Sequence, residues 1–141
     1  MRCSVIKAAG GRLPRKKIAA LAEIIEKEEQ PPEGLVSIIF VSDREIRKLN
    51  RKFRQIDKAT DVLSFNIDSI SAPHSVLGEV YISTETATRY AREDGISPEQ
   101  MIIRLCVHGI LHLLGYDHKT RREGKVMEKR ERLIMSRVGI K

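Results

Sequence analysis

The sequence predicts an α+β fold: a small mixed sheet of about four strands, helices packed mainly on one of its faces, and a central buried helix that carries histidines. Three observations predict it. Helix-period and strand-period segments alternate along the chain, but without a strict βαβ repeat. The segment from Met101 to Leu114 is apolar almost all round, so it belongs in the middle of a core. The chain has 141 residues, 41% of them hydrophobic and 32% charged, which suits one globular domain spanning 1–141.

The elements follow in order. Residues 3–8 form a short first strand. Pro14 opens a helix that places Ile18, Leu21, Ile24 and Ile25 on one face and stops before Pro31 and Pro32. LVSIIFV, residues 35–41, is short and β-branched and reads as a buried strand. Ser42 or Asp43 caps the next helix, which turns Ile46, Leu49 and Asn50 one way and its basic residues the other. Residues 57–60 make a turn, 62–67 a strand, 68–76 a loop rich in Ser and Pro, and 77–82 another strand. Helices cover 84–93, 98–114 and about 120–137. The second of these has Ser97 as its cap and Pro98 in its first turn.

Composition narrows the function classes. The apolar stretch at 101–114 is too short and too polar to span a bilayer, which takes about 20 apolar residues. The first residues carry no secretory signal pattern. Two cysteines, Cys3 and Cys106, make no disulfide framework, so the expected compartment is the cytoplasm. The formal net charge is +7. It is concentrated: residues 43–58 carry +4 and residues 119–141 carry +6, on an otherwise mildly acidic body. Such concentration points to a polyanion partner, with Lys48, Arg51 and Lys52 as phosphate contacts; a solvated helix surface is the plainer reading.

The chemistry lies in HGILHLLGYDH, residues 108–118. His108 and His112 are four apart, so both point the same way from one helix, about 6 Å apart along its axis. Gly115 stands where a helix end favours a left-handed residue. The chain then reverses and returns His118 toward the same point. Three neutral imidazoles leave a fourth tetrahedral position open, which distinguishes a catalytic zinc from a structural one. One ion per chain is expected, Zn2+ first, with another divalent transition metal as the alternative. The spacing is that of metzincin proteases, but their helix carries Glu directly after the first His, as general base. Gly109 stands there instead, which removes the base and the bulk beside the metal, leaving room for a large substrate. A metal can still activate water and polarise a phosphoryl oxygen. A phosphodiester then needs a cation for its equatorial oxygens, and the basic segment 44–58 offers several.

Three neighbours of this segment have open roles. Asp117 orients a ligand imidazole or caps the last helix. Glu79 faces the site or pairs with a cation such as Arg104. Arg104, one turn before His108, binds phosphate or buttresses a carboxylate. Cys106 lies about 200° round the helix from His108 and reads as a buried hydrophobe. His74 sits alone in its loop.

HGILHLLGYDH resembles the signature of the YbeY family of bacterial endoribonucleases, the ribosomal RNA maturation factors. LNRKFRQIDKATDVLSF, residues 49–65, is similar to the family's Leu-Asn, aromatic-Arg, Thr-Asp-Val-Leu-Ser-Phe block, with Ala59 where Pro is usual. LGEVYIS, residues 77–83, resembles its Leu-Gly-acidic strand. The matched segments run from Leu49 to His118, about half of the chain. The resemblance implies a metal-dependent, single-strand-specific endoribonuclease acting in ribosomal RNA maturation and ribosome quality control. It implies an α+β sandwich with the metal at the end of a cleft, His108, His112 and His118 as ligands, and Arg54 as the active-site arginine. Partners would be single-stranded RNA, ribosomal RNA above all, with the ribosome or its associated proteins. Two other readings remain: a metallopeptidase-like hydrolase, and a non-catalytic RNA-binding ribosome assembly factor clipped by a structural zinc.

Overall fold

The computed structural model describes residues 1–67 and 76–139. The elements are β1 (Arg2–Lys7), α1 (Arg15–Glu29), β2 (Leu35–Val41), α2 (Asp43–Arg54), β3 (Val62–Asn66), β4 (Val76–Ser83), α3 (Thr84–Asp94), α4 (Pro98–Leu113) and α5 (Arg121–Val138). Each strand and helix expected from the sequence is present, with ends shifted by one or two residues. Residues 68–75, including His74, lie outside the described residues; Val76, expected in the loop, opens β4.

The strands form one sheet in the order β1-β2-β4-β3. β1, β2 and β4 run parallel, and β3 is antiparallel to β4, so the sheet is mixed, with β1 and β3 at its edges. The face alternation of each strand sorts the core into two parts. Val36, Ile38 and Phe40 of β2 and Val80 and Ile82 of β4 meet α1, α3, α4 and α5 in the main core. Ile39 and Val41 turn to the opposite face, where Ile46 of α2 and Leu63 of β3 close a smaller cluster. Both faces of β2 are thus covered, which is why its sequence is apolar at nearly every position. Four helices on one face and α2 alone on the other match the expected architecture.

α4 is the centre of the main core. Ile103, Ile110 and Leu111 are fully buried, each stabilising the fold by about 1.5–3 kcal/mol relative to exposure. Its start is fixed by a capping box: the Ser97 hydroxyl accepts the Gln100 N–H, and the Gln100 side chain accepts the Ser97 N–H. Two glycines let this helix lie close on the sheet. A Cβ on Gly109 would stand 2.5 Å from Val80 Cγ1 and 3.1 Å from Ser64 Oγ; one on Gly78 would stand 2.6 Å from Leu113 Cδ2. The expectation that Gly109 leaves room for substrate beside the metal is therefore corrected. The space it vacates is filled by the sheet. The contact is then tied by polar groups of β3: Ser64 Oγ donates to the Gly109 carbonyl at 2.9 Å, and Asn66 Nδ2 to the Leu113 carbonyl at 2.9 Å.

The cap alternatives resolve in favour of hydroxyls. Ser42 caps α2, accepting the Glu45 N–H. Asp43 instead accepts from Ser83, Thr86 and Arg89, fastening α2 to the start of α3. Its carboxyl lies below the usual range because those hydrogen bonds and the Arg89 charge outweigh partial burial. Thr120, not Asp117, caps α5.

Candidate metal centre and its cleft

His108 and His112 project from the last turns of α4 toward the outer strand β3. The helix then ends as its sequence demands. Gly115 takes φ +103°, and the Tyr116 N–H donates back to the Leu111 carbonyl at 3.0 Å. This reversal brings His118 back over the helix end. The Tyr116 side chain anchors the returning loop. Its hydroxyl donates to Glu29 at 2.8 Å, and Glu29 also accepts from Arg130 at 2.7 Å, so α1, α5 and the loop share one buried carboxylate. The Tyr116 hydroxyl holds its proton more firmly than a free phenol, chiefly through burial and then through Glu29.

The three imidazoles converge. Their ligating nitrogens all lie within 4.8 Å of one another, and the Nε2 atoms of His108 and His112 are 3.2 Å apart. Three nitrogens bound to one tetrahedral ion at about 2.0–2.1 Å sit about 3.3 Å from each other, so this donor set fits a divalent transition metal. Burial, then the neighbouring rings of His108 and His118, lower the pKa of His112 and favour its neutral, ligating form. Among the described residues the cluster has three members, which leaves a coordination position open.

Glu131 of α5 completes the centre, and the sequence reading missed it. Its Oε1 accepts from His108 Nδ1 at 2.7 Å. A signal was present: Glu131 stands four residues after Met127 and three before Ile134, both buried, so it is a carboxylate on the core-facing stripe of α5. Asp117 is open in the sequence to this role or to capping α5, and among the described hydrogen bonds it makes neither contact. It accepts the backbone N–H of His118 at 2.7 Å, which lowers its own pKa, and it adds a negative charge beside His112.

The centre lies in a cleft of about 560 Å³ whose lining includes Arg54, Asp61, Ser64, His108, His112 and His118. Arg54 reaches it from the end of α2. Its Nη2 donates to the Ser64 carbonyl at 3.0 Å, and its guanidinium lies 4.9 Å from the Phe65 ring centroid. The turn after α2 holds this position: Gln55 adopts φ +58°, Asn50 Nδ2 donates to the Lys58 carbonyl, and Arg47 bridges Asp57 through two hydrogen bonds. Lys48, Arg51 and Lys52 are exposed on α2 outside the cleft, Lys48 paired with Glu45 at 3.8 Å.

Glu79 faces neither the cleft nor Arg104; it accepts from the Tyr81 hydroxyl on the α2 side of the sheet. Arg104 buttresses a carboxylate, Asp94, at 3.3 Å. Cys106 is fully buried with its thiol pKa pushed well up by desolvation, as a core hydrophobe should be. Both cysteines are free. No helix among the described residues is long and apolar enough to cross a membrane.

The family model described as "Endoribonuclease YbeY" matches residues 11–139. An endoribonuclease YbeY of Aquifex aeolicus is 46% identical over 135 residues, covering 95% of this chain and 90% of that protein. One from Desulforamulus reducens is 43% identical over 122 residues, covering 82% and 80%. A Thermotoga maritima protein solved in solution is 30% identical and covers 96% of this chain and 89% of its own, with a TM-score of 0.65.

Proposed function

The chain belongs to the endoribonuclease YbeY family, and from that premise we propose that it is a metal-dependent endoribonuclease acting on single-stranded RNA in ribosomal RNA maturation and ribosome quality control. One domain, residues 1–141, carries the activity, in the cytoplasm. The observation that carries this reading is the convergence of three imidazole nitrogens at one wall of a cleft that an arginine enters from the other side. His108, His112 and His118 are the ligands, Zn2+ the first choice of metal. A divalent ion held there supplies a Lewis acid for a phosphoryl oxygen and a water acidified toward neutral pH.

The chain's own residues do the rest. Arg54 grips the non-bridging oxygens of the scissile phosphate: a guanidinium carries five N–H donors, and those not engaged by Ser64 can bridge two oxygens in parallel. Glu131 holds the His108 ring with its Nε2 turned toward His112, where the three imidazoles would hold a metal. Asp117 keeps the His118 backbone in place and adds charge near the ligands. Lys48, Arg51 and Lys52 give the RNA backbone a basic approach, and ribosomal RNA, with the ribosome or its associated proteins, is the partner. The peptidase alternative would need Glu at position 109, where β-carbon space is already occupied by Val80.

The test is cleavage of end-labelled RNA by metal-loaded protein. Internal cuts in a single strand, far fewer in a stable duplex, are expected. Rapid casein digestion with intact RNA would reverse the assignment.

A further inference from the structure

Beside Arg54 stands Phe53, a large aromatic ring that is 48% exposed. A helix with this amphipathic pattern has little reason to show a phenyl ring to water, and Ile56, three residues on, is 50% exposed. The ring is fixed in place. It packs against Phe65 at a centroid distance of 5.2 Å and a tilt of 59°, and Phe65 packs in turn on Tyr81 at 5.8 Å. Phe65 is itself covered by the Arg54 guanidinium, so Phe53 is the member of this aromatic track that still presents a face. Among the described residues, the Lys52 ammonium lies over that ring, 5.2 Å from the centroid.

We infer that Phe53 is a stacking platform for an unpaired nucleobase at the lip of the cleft. The inference rests on the nuclease reading and supplies a physical origin for its single-strand preference. In a duplex both faces of a base are stacked on neighbours; an unpaired base offers a π-face to an aromatic side chain whatever its sequence. The surroundings favour a nucleic acid over an apolar protein segment. Lys52 lies over the ring, and Arg54, the residue after Phe53, lines the cleft and donates to the Ser64 carbonyl. A base arriving on Phe53 displaces the Lys52 ammonium, whose flexible stem can swing to the adjacent phosphate, so the two contacts exchange without leaving a charge unpaired. Phosphate grip by Arg54 and base stacking by Phe53, both at the end of α2, would hold one nucleotide of a single strand beside the cleft.

The experiment measures binding and cleavage separately on zinc-loaded protein. The binding probes are a fluorescein-labelled deoxythymidine strand of about twelve nucleotides and a strand of equal length built from abasic sites, which has the same phosphates and no bases. Wild-type protein should prefer the base-bearing strand by about tenfold. Phe53→Leu, which keeps an apolar contact with Phe65 and so preserves folding, should erase that preference while leaving abasic-strand affinity unchanged. Phe53→Tyr should retain it. Equal affinity of wild type for the two strands, or an unchanged preference in Phe53→Leu, overturns the inference and leaves the patch to a protein partner. Cleavage of labelled RNA is followed on the same preparations. Cleavage without base preference sinks the platform alone; a base preference lost in Phe53→Leu, with no cleavage by wild type, supports the platform and sinks the nuclease.

Discussion

Glu131 and His108 are joined at 2.7 Å, Oε1 to Nδ1, and this one contact decides the tautomer of the ring. A carboxylate only accepts, so Nδ1 carries the proton and Nε2 keeps its lone pair, directed at His112. Loss of such an outer partner typically costs 10–100-fold in metal affinity. Glu131→Ala is therefore expected to weaken zinc by about that factor in a chelator competition, with helical circular dichroism retained. Glu131→Gln, whose amide oxygen still accepts, should fall between. Wild-type affinity in both variants would reduce the contact to a surface ion pair.

The ligand set makes a stoichiometric prediction. Purified without a histidine tag, the protein should carry one metal per chain, and His112→Ala should carry none at stoichiometric level. Elemental analysis decides both, and one zinc in His112→Ala would place the site elsewhere.

Protons compete with the ion for the same nitrogens, so metal should be released as pH falls below about 6.5. The metal-free protein has its own pH dependence. Burial and the two adjacent rings depress the pKa of His112, so the folded chain binds fewer protons than the unfolded chain. The resulting stability is present above about pH 6.5 and is lost as pH falls through the lowered value. Urea midpoints of apo protein should drop across that window, and a flat profile would show that His112 titrates alike in both states.

Much of this was legible in the sequence, for identifiable reasons. α4 could be read because Ser97, Pro98 and Gly115 bracket it and its apolar run cannot be placed outside a core. The histidine cluster could be read because residues four apart on a helix must share a face. The place of Glu131 on the core-facing stripe of α5 is legible too, but its pairing with His108 and the Glu29–Tyr116–Arg130 anchor are not, because they depend on how α1, α4 and α5 pack and not on spacing along the chain. Gly109 was misread for the same reason. Next to the first histidine it reads as space for substrate, but the sheet packed beneath it decides what fills that space.

That packing predicts a stability effect opposite to helix propensity. Glycine to alanine inside a helix ordinarily gains about 1 kcal/mol. At position 109 the new Cβ would meet Val80 Cγ1 at 2.5 Å, a short, stiff side chain in the sheet. Overpacking of this kind costs about 1–3 kcal/mol, so Gly109→Ala should lower the urea midpoint. Gly109→Glu should be far worse and should confer no peptidase activity. An unchanged or raised midpoint in Gly109→Ala would mean that α4 can lift from the sheet at little cost.

Substitution at Arg54 tests catalysis against binding. The Arg54 guanidinium lies in the cleft, oriented by the Ser64 carbonyl and the Phe65 ring, whereas Lys48, Arg51 and Lys52 lie outside it on the exposed face of α2. Arg54→Lys keeps the charge but loses the planar fork that can hold two phosphate oxygens at once. If the fork acts on charge that develops in the transition state, the rate should fall by about 10²-fold or more, on the scale of losing one oxyanion donor. RNA affinity should fall far less, and metal content should not change, because the clustered donors are His108, His112 and His118 and do not include Arg54. Lys48→Ala should do the reverse, weakening binding at low salt and leaving the rate at saturation nearly intact. Single-turnover cleavage with saturating enzyme, run beside a binding isotherm, distinguishes the two. Wild-type rates in Arg54→Lys would make Arg54 one more basic contact along the strand.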